Sequence, residues 1–339
     1  LIMEDFYKLY SVGKNAKKPD SKGKSFGHQI LGFGSGVSAA AINVRGVWGG
    51  CFKYGAVPSN IIDFVEISTL GNASDFGDLT SARHRLGGSA ASVTRGLWFG
   101  GNTQPARLQD INYVTIATEG NALDFGDLAS QTSQQGMTGN NDTRAVHCIG
   151  QRQDTVRNEM EYVTIATTGN ATDFGDLSVG KYSAAGCSSN TRTVYGGGYD
   201  LAALGMTNAV DYITTASTGN ATDFGDLTVA RSSLSGASSG TRGVWAGGND
   251  AAANVMDYLT LASTGNATDF GDLTTKAEDS SGGTSNKTRG LFAKGGIPSK
   301  SGAIDYITIA STGNGTDFGD RTVEGTYSKA CSNGNGGLA

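Results

Sequence analysis

The chain has 339 residues, a formal net charge of −5, 52 glycines, 4 prolines and 17% charged residues. This balance argues against a disordered chain and favours many short strands joined by tight turns. The sequence contains no apolar run of the roughly 18 to 20 residues that a membrane-spanning helix needs, so we expect no membrane insertion.

The first segment, residues 1–30, is basic. It holds six lysines against three acidic residues, which leaves the remaining chain at about −8. We interpret it as a solvated leader or attachment arm, although contact with an acidic partner or nucleic acid stays open. The acidic body should repel phosphate groups, so we expect it to bind no nucleic acid.

An element reading Gly-Asn-x-x-Asp-Phe-Gly-Asp then occurs six times, at a spacing of 46 to 50 residues. An aromatic residue precedes each phenylalanine of this element by 12 positions. Such constancy predicts one rigid hairpin repeated in every unit, with its phenylalanine buried between units. The six phenylalanines are Phe76, Phe125, Phe174, Phe224, Phe270 and Phe318.

Each unit also has an arginine that opens a run of small, apolar and aromatic residues, as in Arg45-Gly46-Val47-Trp48. We expect these arginines to bond to a repeated aspartate or to exposed carbonyl groups. His147 stands where other units have an aromatic residue, so we expect it to pack between units. The arginines are Arg45, Arg95, Arg144, Arg192, Arg242 and Arg289.

Every unit reads as four short strands. In the fifth unit they lie near 233–239, 241–247, 254–262 and 267–274, with Gly, Ser and Asn turns between them. Four strands in a period of about 48 residues are typical of a propeller blade. The predicted fold is an all-β, six-bladed β-propeller of four-stranded antiparallel blades, forming one domain over residues 31–339.

A glycine pair ends the second strand, as in Gly49-Gly50 and Gly100-Gly101, and a tyrosine and a second aromatic residue follow it. This pattern resembles the kelch repeat over about residues 33–333, although Ile149-Gly150 breaks the pair and Phe replaces the usual second Trp. The repeated segment Thr-Ile-Ala-Ser/Thr-Thr-Gly-Asn-Ala-Thr-Asp-Phe-Gly-Asp-Leu resembles kelch-like repeats of tailed phages that infect marine cyanobacteria. Those repeats occur in predicted virion proteins associated with the tail or capsid.

Closure of the ring requires a strand that ties the last unit to the first. Ser328–Asn333 is similar to Ala184–Ser189, the first strand of an earlier unit. We therefore expect residues 326–333 to join the first blade. Residues 33–41 remain an alternative.

Catalytic and metal chemistry are poorly supported. The Asp-Phe-Gly triplets lack the other motifs of a kinase, the four cysteines lack metal-ligand spacing, and His28, His84 and His147 lie far apart. We predict no enzyme activity, no catalytic residues, no metal site and no cofactor.

The units differ most in the loop between their second and third strands. Variation on a rigid scaffold is typical of binding surfaces, although unconstrained drift gives the same pattern. The candidate contacts are Phe52, Tyr54, Arg107, Arg152, Arg157, Tyr199, Met206 and Lys300.

The resemblance implies a virion structural or host-recognition protein that binds other virion proteins and a host surface protein or glycan. Two alternatives stay open. One is a cellular, cytoplasmic kelch-type adaptor that binds a protein, and the other is a carbohydrate-active enzyme on the same scaffold.

Overall fold

The computed structural model describes residues 43–132, 136–152, 155–200, 202–249, 253–279, 282–296 and 301–334, all within one unit that begins at Asn43. The predicted leader at residues 1–30, the alternative closing strand at 33–41 and Lys300 lie outside the described residues. So does the side chain of Arg152.

Thirty strands occupy the described residues, which contain no helix, so the all-β prediction is confirmed. The first fifteen are β1 (Arg45–Lys53), β2 (Val57–Glu66), β3 (Ser74–Arg83), β4 (Gly88–Ala91), β5 (Arg95–Asn102), β6 (Arg107–Thr115), β7 (Leu123–Thr132), β8 (Met137–Asn140), β9 (Arg144–Cys148), β10 (Gln151–Arg152), β11 (Thr155–Val156), β12 (Glu159–Thr164), β13 (Thr172–Asp176), β14 (Lys181–Tyr182) and β15 (Ala185–Ser188). The others are β16 (Arg192–Gly196), β17 (Tyr199–Asp200), β18 (Gly205–Met206), β19 (Ala209–Thr214), β20 (Thr222–Asp226), β21 (Ser235–Ser238), β22 (Arg242–Ala246), β23 (Val255–Thr260), β24 (Thr268–Asp272), β25 (Gly283–Ser285), β26 (Arg289–Ala293), β27 (Ala303–Thr308), β28 (Thr316–Asp320), β29 (Gly325–Thr326) and β30 (Lys329–Ser332).

The strands form antiparallel sheets that follow the sequence repeat. Sheet 1 is β30-β1-β2-β3, with the short β29 also beside β1, and sheet 2 is β4-β5-β6-β7. Sheets 3, 4, 5 and 6 are β8-β9-β12-β13, β15-β16-β19-β20, β21-β22-β23-β24 and β25-β26-β27-β28. Two small sheets, β10-β11 and β14-β17-β18, extend from the loops.

The first strand of sheet 1 comes from the other end of the chain. β30 pairs with β1 from Gly46 opposite Ser332 to Gly49 opposite Lys329. The backbone groups on this edge of β1 are therefore bonded, and the sheet does not present a long open edge there.

The apolar core lies between neighbouring sheets. Phe76 of sheet 1 packs with Trp98 and Val114 of sheet 2, and Phe318 of sheet 6 packs with Trp48 of sheet 1. All six repeated phenylalanines are 2 to 3% exposed, and each meets its partner aromatic edge-to-face at 5.7 to 6.2 Å between ring centroids. Burial of one such ring contributes about 2 to 3 kcal/mol.

Backbone hydrogen bonds join the sheets at the Gly-Asn-x-x-Asp-Phe-Gly-Asp element, and we call each such contact a joint. Gly120 N donates to Phe76 O at 2.8 Å, and Asn121 Oδ1 accepts from Asp78 N at 3.1 Å. The same bonds recur between all successive sheets and from sheet 6 to sheet 1, where Gly71 N donates to Phe318 O at 3.0 Å. Each Asn side chain therefore bonds to the preceding sheet, because the turn that holds it packs against that neighbour.

The glycine of Asp-Phe-Gly allows this approach. A Cβ added to Gly77 would lie 2.5 Å from Gly120 O, and the φ of Gly77 is 145°. Side-chain-bearing residues rarely adopt that conformation. The repeated glycine is therefore required by the contact between sheets.

The repeated arginines lie beside the joints. Each has its guanidinium 4.2 to 4.8 Å from the aromatic ring centroid of its own sheet, and each donates to a backbone carbonyl of the next sheet. Arg289 of sheet 6, for example, donates to Ile67 O of sheet 1 at 2.8 Å. The expected partners were an aspartate or a carbonyl group, and the repeated contact is with a carbonyl group. Arg45 also forms an ion pair with Glu66 at 3.1 Å.

Candidate binding site

One cavity of about 300 Å³ opens among loops that differ between units, and we call it the bowl. Some of its residues belong to loops that lead from the fourth strand of one sheet to the first strand of the next. The others belong to loops between the second and third strands of sheets 4 and 5. The lining residues are Arg85, Tyr182, Ser183, Tyr199, Met206, Ser232, Ser233, Asn249, Asp279 and Tyr327.

Five of these residues share an unusual backbone conformation. Each lies in a loop before the first strand of a sheet, and each has a φ of 48 to 58° or, for Tyr327, 62°. A left-handed conformation costs about 1 to 3 kcal/mol in a residue other than glycine, and such residues cluster at functional sites. The five are Arg85, Ser183, Ser233, Asp279 and Tyr327.

A charged and hydrogen-bonded group occupies one part of the bowl. Tyr327 Oη donates to Asp279 Oδ2 at 2.5 Å, and the Arg85 guanidinium lies 5.0 Å from the centroid of the Tyr327 ring. Burial, followed by the bond to Asp279, raises the pKa of Tyr327 to about 12. The phenol therefore stays protonated at neutral pH, and Arg85 and Asp279 offer a donor and an acceptor of opposite charge.

Two tyrosines form a second part of the bowl. Tyr182 of β14 pairs with Tyr199 of β17, with ring centroids 5.4 Å apart, and Met206 of β18 lies opposite Tyr199 in the next strand. Burial, followed by the proximity of Tyr199, raises the pKa of Tyr182. Aromatic rings with polar tips provide a flat apolar surface and hydrogen bonds at its edge.

The structure brings together two of the eight predicted contacts, since Tyr199 and Met206 both line the bowl. The Phe52 ring lies against the His84 ring, tilted by 30° with centroids 4.3 Å apart, and the His84 ring centroid is 6.4 Å from that of Tyr327. His84 is only 2% exposed, so its ring lies beneath the loop surface.

Among the described residues, Tyr54, Arg107 and Arg157 do not line the bowl. Tyr54 is 72% exposed in the turn after β1, and Arg157 forms an ion pair with Glu159 at 3.6 Å. Arg107 lies at the start of β6. The backbone of Arg152 lies in β10.

Sequence reasoning missed the loops that precede the first strands. Arg85, Asp279 and Tyr327 stand in these loops among serines and glycines, and their chemical types differ from unit to unit. The loops between strands two and three were selected because they vary between units. The same criterion would have selected Arg85, Asp279 and Tyr327.

In the part of the chain that the structure describes, no group of three or more His, Cys, Asp or Glu side chains is placed to hold a metal ion. No described helix could cross a membrane. No family model matches the chain, and no curated protein sequence matches it. The function is therefore inferred from the bowl and its supporting sheets.

Proposed function

We propose that the chain is a non-catalytic host-recognition protein, a six-bladed kelch-like β-propeller whose bowl binds a glycan. The propeller is supported by the joints, which link every sheet to the next and sheet 6 to sheet 1. It is also supported by the six core clusters, which follow the same cyclic order. Such an arrangement leaves only short, protected sheet edges.

One observation carries the recognition proposal. Five left-handed residues from separate units meet at one cavity, and they are one cation, one anion, one phenol and two hydroxyls. The same strained backbone conformation recurs in all five residues, while the side chain differs. The five positions therefore present different polar groups at fixed places. Ligand sites of about 300 Å³ or more with a few convergent polar groups are common in proteins.

The glycan assignment follows from the chemistry of the lining. The Tyr182 and Tyr199 rings suit the apolar face of a sugar, and Arg85 and Asp279 can bond to its hydroxyl groups. The two charges are opposite, so the bowl does not select strongly for a highly charged ligand.

Binding to a panel of surface glycans tests this proposal. We expect Tyr199→Ala and Asp279→Asn each to weaken binding at least about tenfold, because stacking and a charged hydrogen bond are each worth about 1.4 kcal/mol or more. Tyr54→Ala, an exposed tyrosine outside the bowl, should leave affinity unchanged. Equal affinity in all three variants would exclude the bowl, and hydrolysis or oxidation of a panel member would exclude a non-catalytic role.

A place in a virion is supported by the resemblance of the repeat to kelch-like phage proteins. Mass spectrometry of purified particles from the source tests it. Recovery of the chain in stoichiometric amounts is expected, whereas its presence only in the lysate would favour a cellular adaptor.

A further inference from the structure

The first strands of all six sheets line a second cavity, of about 60 Å³, which we call the channel cavity. Its lining is mostly glycine and alanine, with Met137, Leu234 and the hydroxyl groups of Ser89, Thr138 and Ser235. Among the described residues that line it, Lys329 of β30 is the only charged one. It follows Tyr327, a residue of the bowl, by two positions.

Lys329 differs from the other buried cations of the protein. Arg231 pairs with Asp257 at 2.5 Å and Arg321 pairs with Asp63 at 3.2 Å. The Lys329 side chain is 9% exposed, yet among the described residues its ammonium group has neither a hydrogen bond nor an ion pair. No described residue neutralises this charge, so an anion that enters the cavity could bind beside it.

The neighbouring titratable group does not provide that counterion. Burial, followed by the charge of Lys329, lowers the pKa of His147 to about 3, so this imidazole is neutral at pH 7. Burial lowers the pKa of Lys329 to about 8, which leaves most of its ammonium charged at pH 7. Thr138, which lines the cavity, bonds through its hydroxyl to His147 Nδ1 at 3.1 Å.

We propose that the channel cavity binds one small monovalent anion, a halide or a carboxylate group, beside the ammonium of Lys329. The cavity volume suits an ion about the size of a water molecule or slightly larger. A carboxylate could come from solution or from a ligand in the bowl, whereas a halide comes from solution alone. This site does not depend on the glycan assignment.

Thermal unfolding of the full chain at pH 7 tests the site, with sodium chloride, bromide, formate and gluconate compared at equal ionic strength. Gluconate is too large for the cavity and serves as the reference. We expect chloride, bromide or formate to raise Tm by about 2 to 4 °C over gluconate. A formate shift without a halide shift would assign the site to carboxylates.

Lys329→Met should abolish the shift, and Lys287→Met, which removes an exposed lysine of sheet 6, should retain it. The shift should also vanish above about pH 9, where the Lys329 ammonium is deprotonated. An equal shift in Lys329→Met, or no shift with any small anion in the unaltered chain, would overturn the proposal. If the variant does not fold, anomalous bromide density beside Lys329 in crystals supports the site and its absence rejects it.

Discussion

The joints and the bowl use the repeat in opposite ways. At the joints, Gly, Asn, Phe and Asp recur six times, and the Asn bonds differ only between 3.0 and 3.1 Å. In the bowl, five residues of four chemical types share one backbone conformation. Stability therefore comes from identical neighbour contacts, which leave the loops free to vary. Substitutions in the two regions should affect different properties.

The largest effect is expected from deleting residues 326–339, because this removes β30 from β1 and exposes that edge. We expect oligomers or loss of cooperative unfolding, measured by light scattering and calorimetry. Deletion of 335–339 alone retains β30 and serves as the control. A truncated monomer with unchanged Tm would instead mean that residues 33–41 supply the closing strand.

Next in size is Phe224→Ala at the joint between sheets 4 and 5. Phe224 is 2% exposed and packs with Trp245 and Leu259, so its removal should cost about 3 to 5 kcal/mol in denaturant unfolding. Val229→Ala, at a residue 40% exposed, should cost less than about 1 kcal/mol. Similar losses for both would contradict the packing described here.

Gly225→Ala tests the joint without removing a ring. Its Cβ would lie 2.4 Å from Gly265 O at a φ of 142°, so we expect a loss of about 2 to 4 kcal/mol. Gly205→Ala, whose Cβ would meet its nearest atom at 3.9 Å, should change stability by less than about 1 kcal/mol. Equal changes in stability at both glycines would show that the sheets can move apart at little cost in free energy.

A smaller effect concerns acid and His147. The unfolded chain protonates this imidazole near its ordinary pKa of 6.5, whereas the folded chain does so only near 3, so stability is lost as pH falls between these values. We expect about 2 kcal/mol of this loss at about pH 5. His147→Phe, which copies Phe292 of sheet 6, should remove that part of the pH dependence, and an unchanged profile would refute the assignment.

The smallest effect should come from Ser233→Gly in the bowl. Glycine relieves the left-handed strain at φ 58° but adds freedom to the unfolded chain, so stability should change by less than about 1 kcal/mol. Replacing exposed Ser217, which is not left-handed, with glycine should lower the free energy of unfolding by about 0.5 to 1 kcal/mol. If Ser233→Gly is the more damaging of the two, the left-handed position is held by other contacts.

Strand content and the repeated aromatic pairs could be predicted because they depend on local spacing. The strands of sheet 5, from Ser235–Ser238 to Thr268–Asp272, lie within about two residues of the predicted limits. The bowl could be predicted only in part. Tyr199 and Met206 were found from loop variation, but Arg85, Asp279 and Tyr327 come from a second loop class, and their convergence requires the sheets to be placed first.

By itself, the sequence determined an all-β chain of repeated four-stranded units, because strand and turn periods are local properties that six copies reinforce. The tertiary structure decided which partners the repeated polar groups take: Asn121 bonds to the preceding sheet, and His84 lies under Phe52. It also placed Lys329 in the channel cavity, where no described lining residue carries a carboxylate. These contacts join residues far apart in the chain, so they depend on how the sheets pack, which no local pattern encodes.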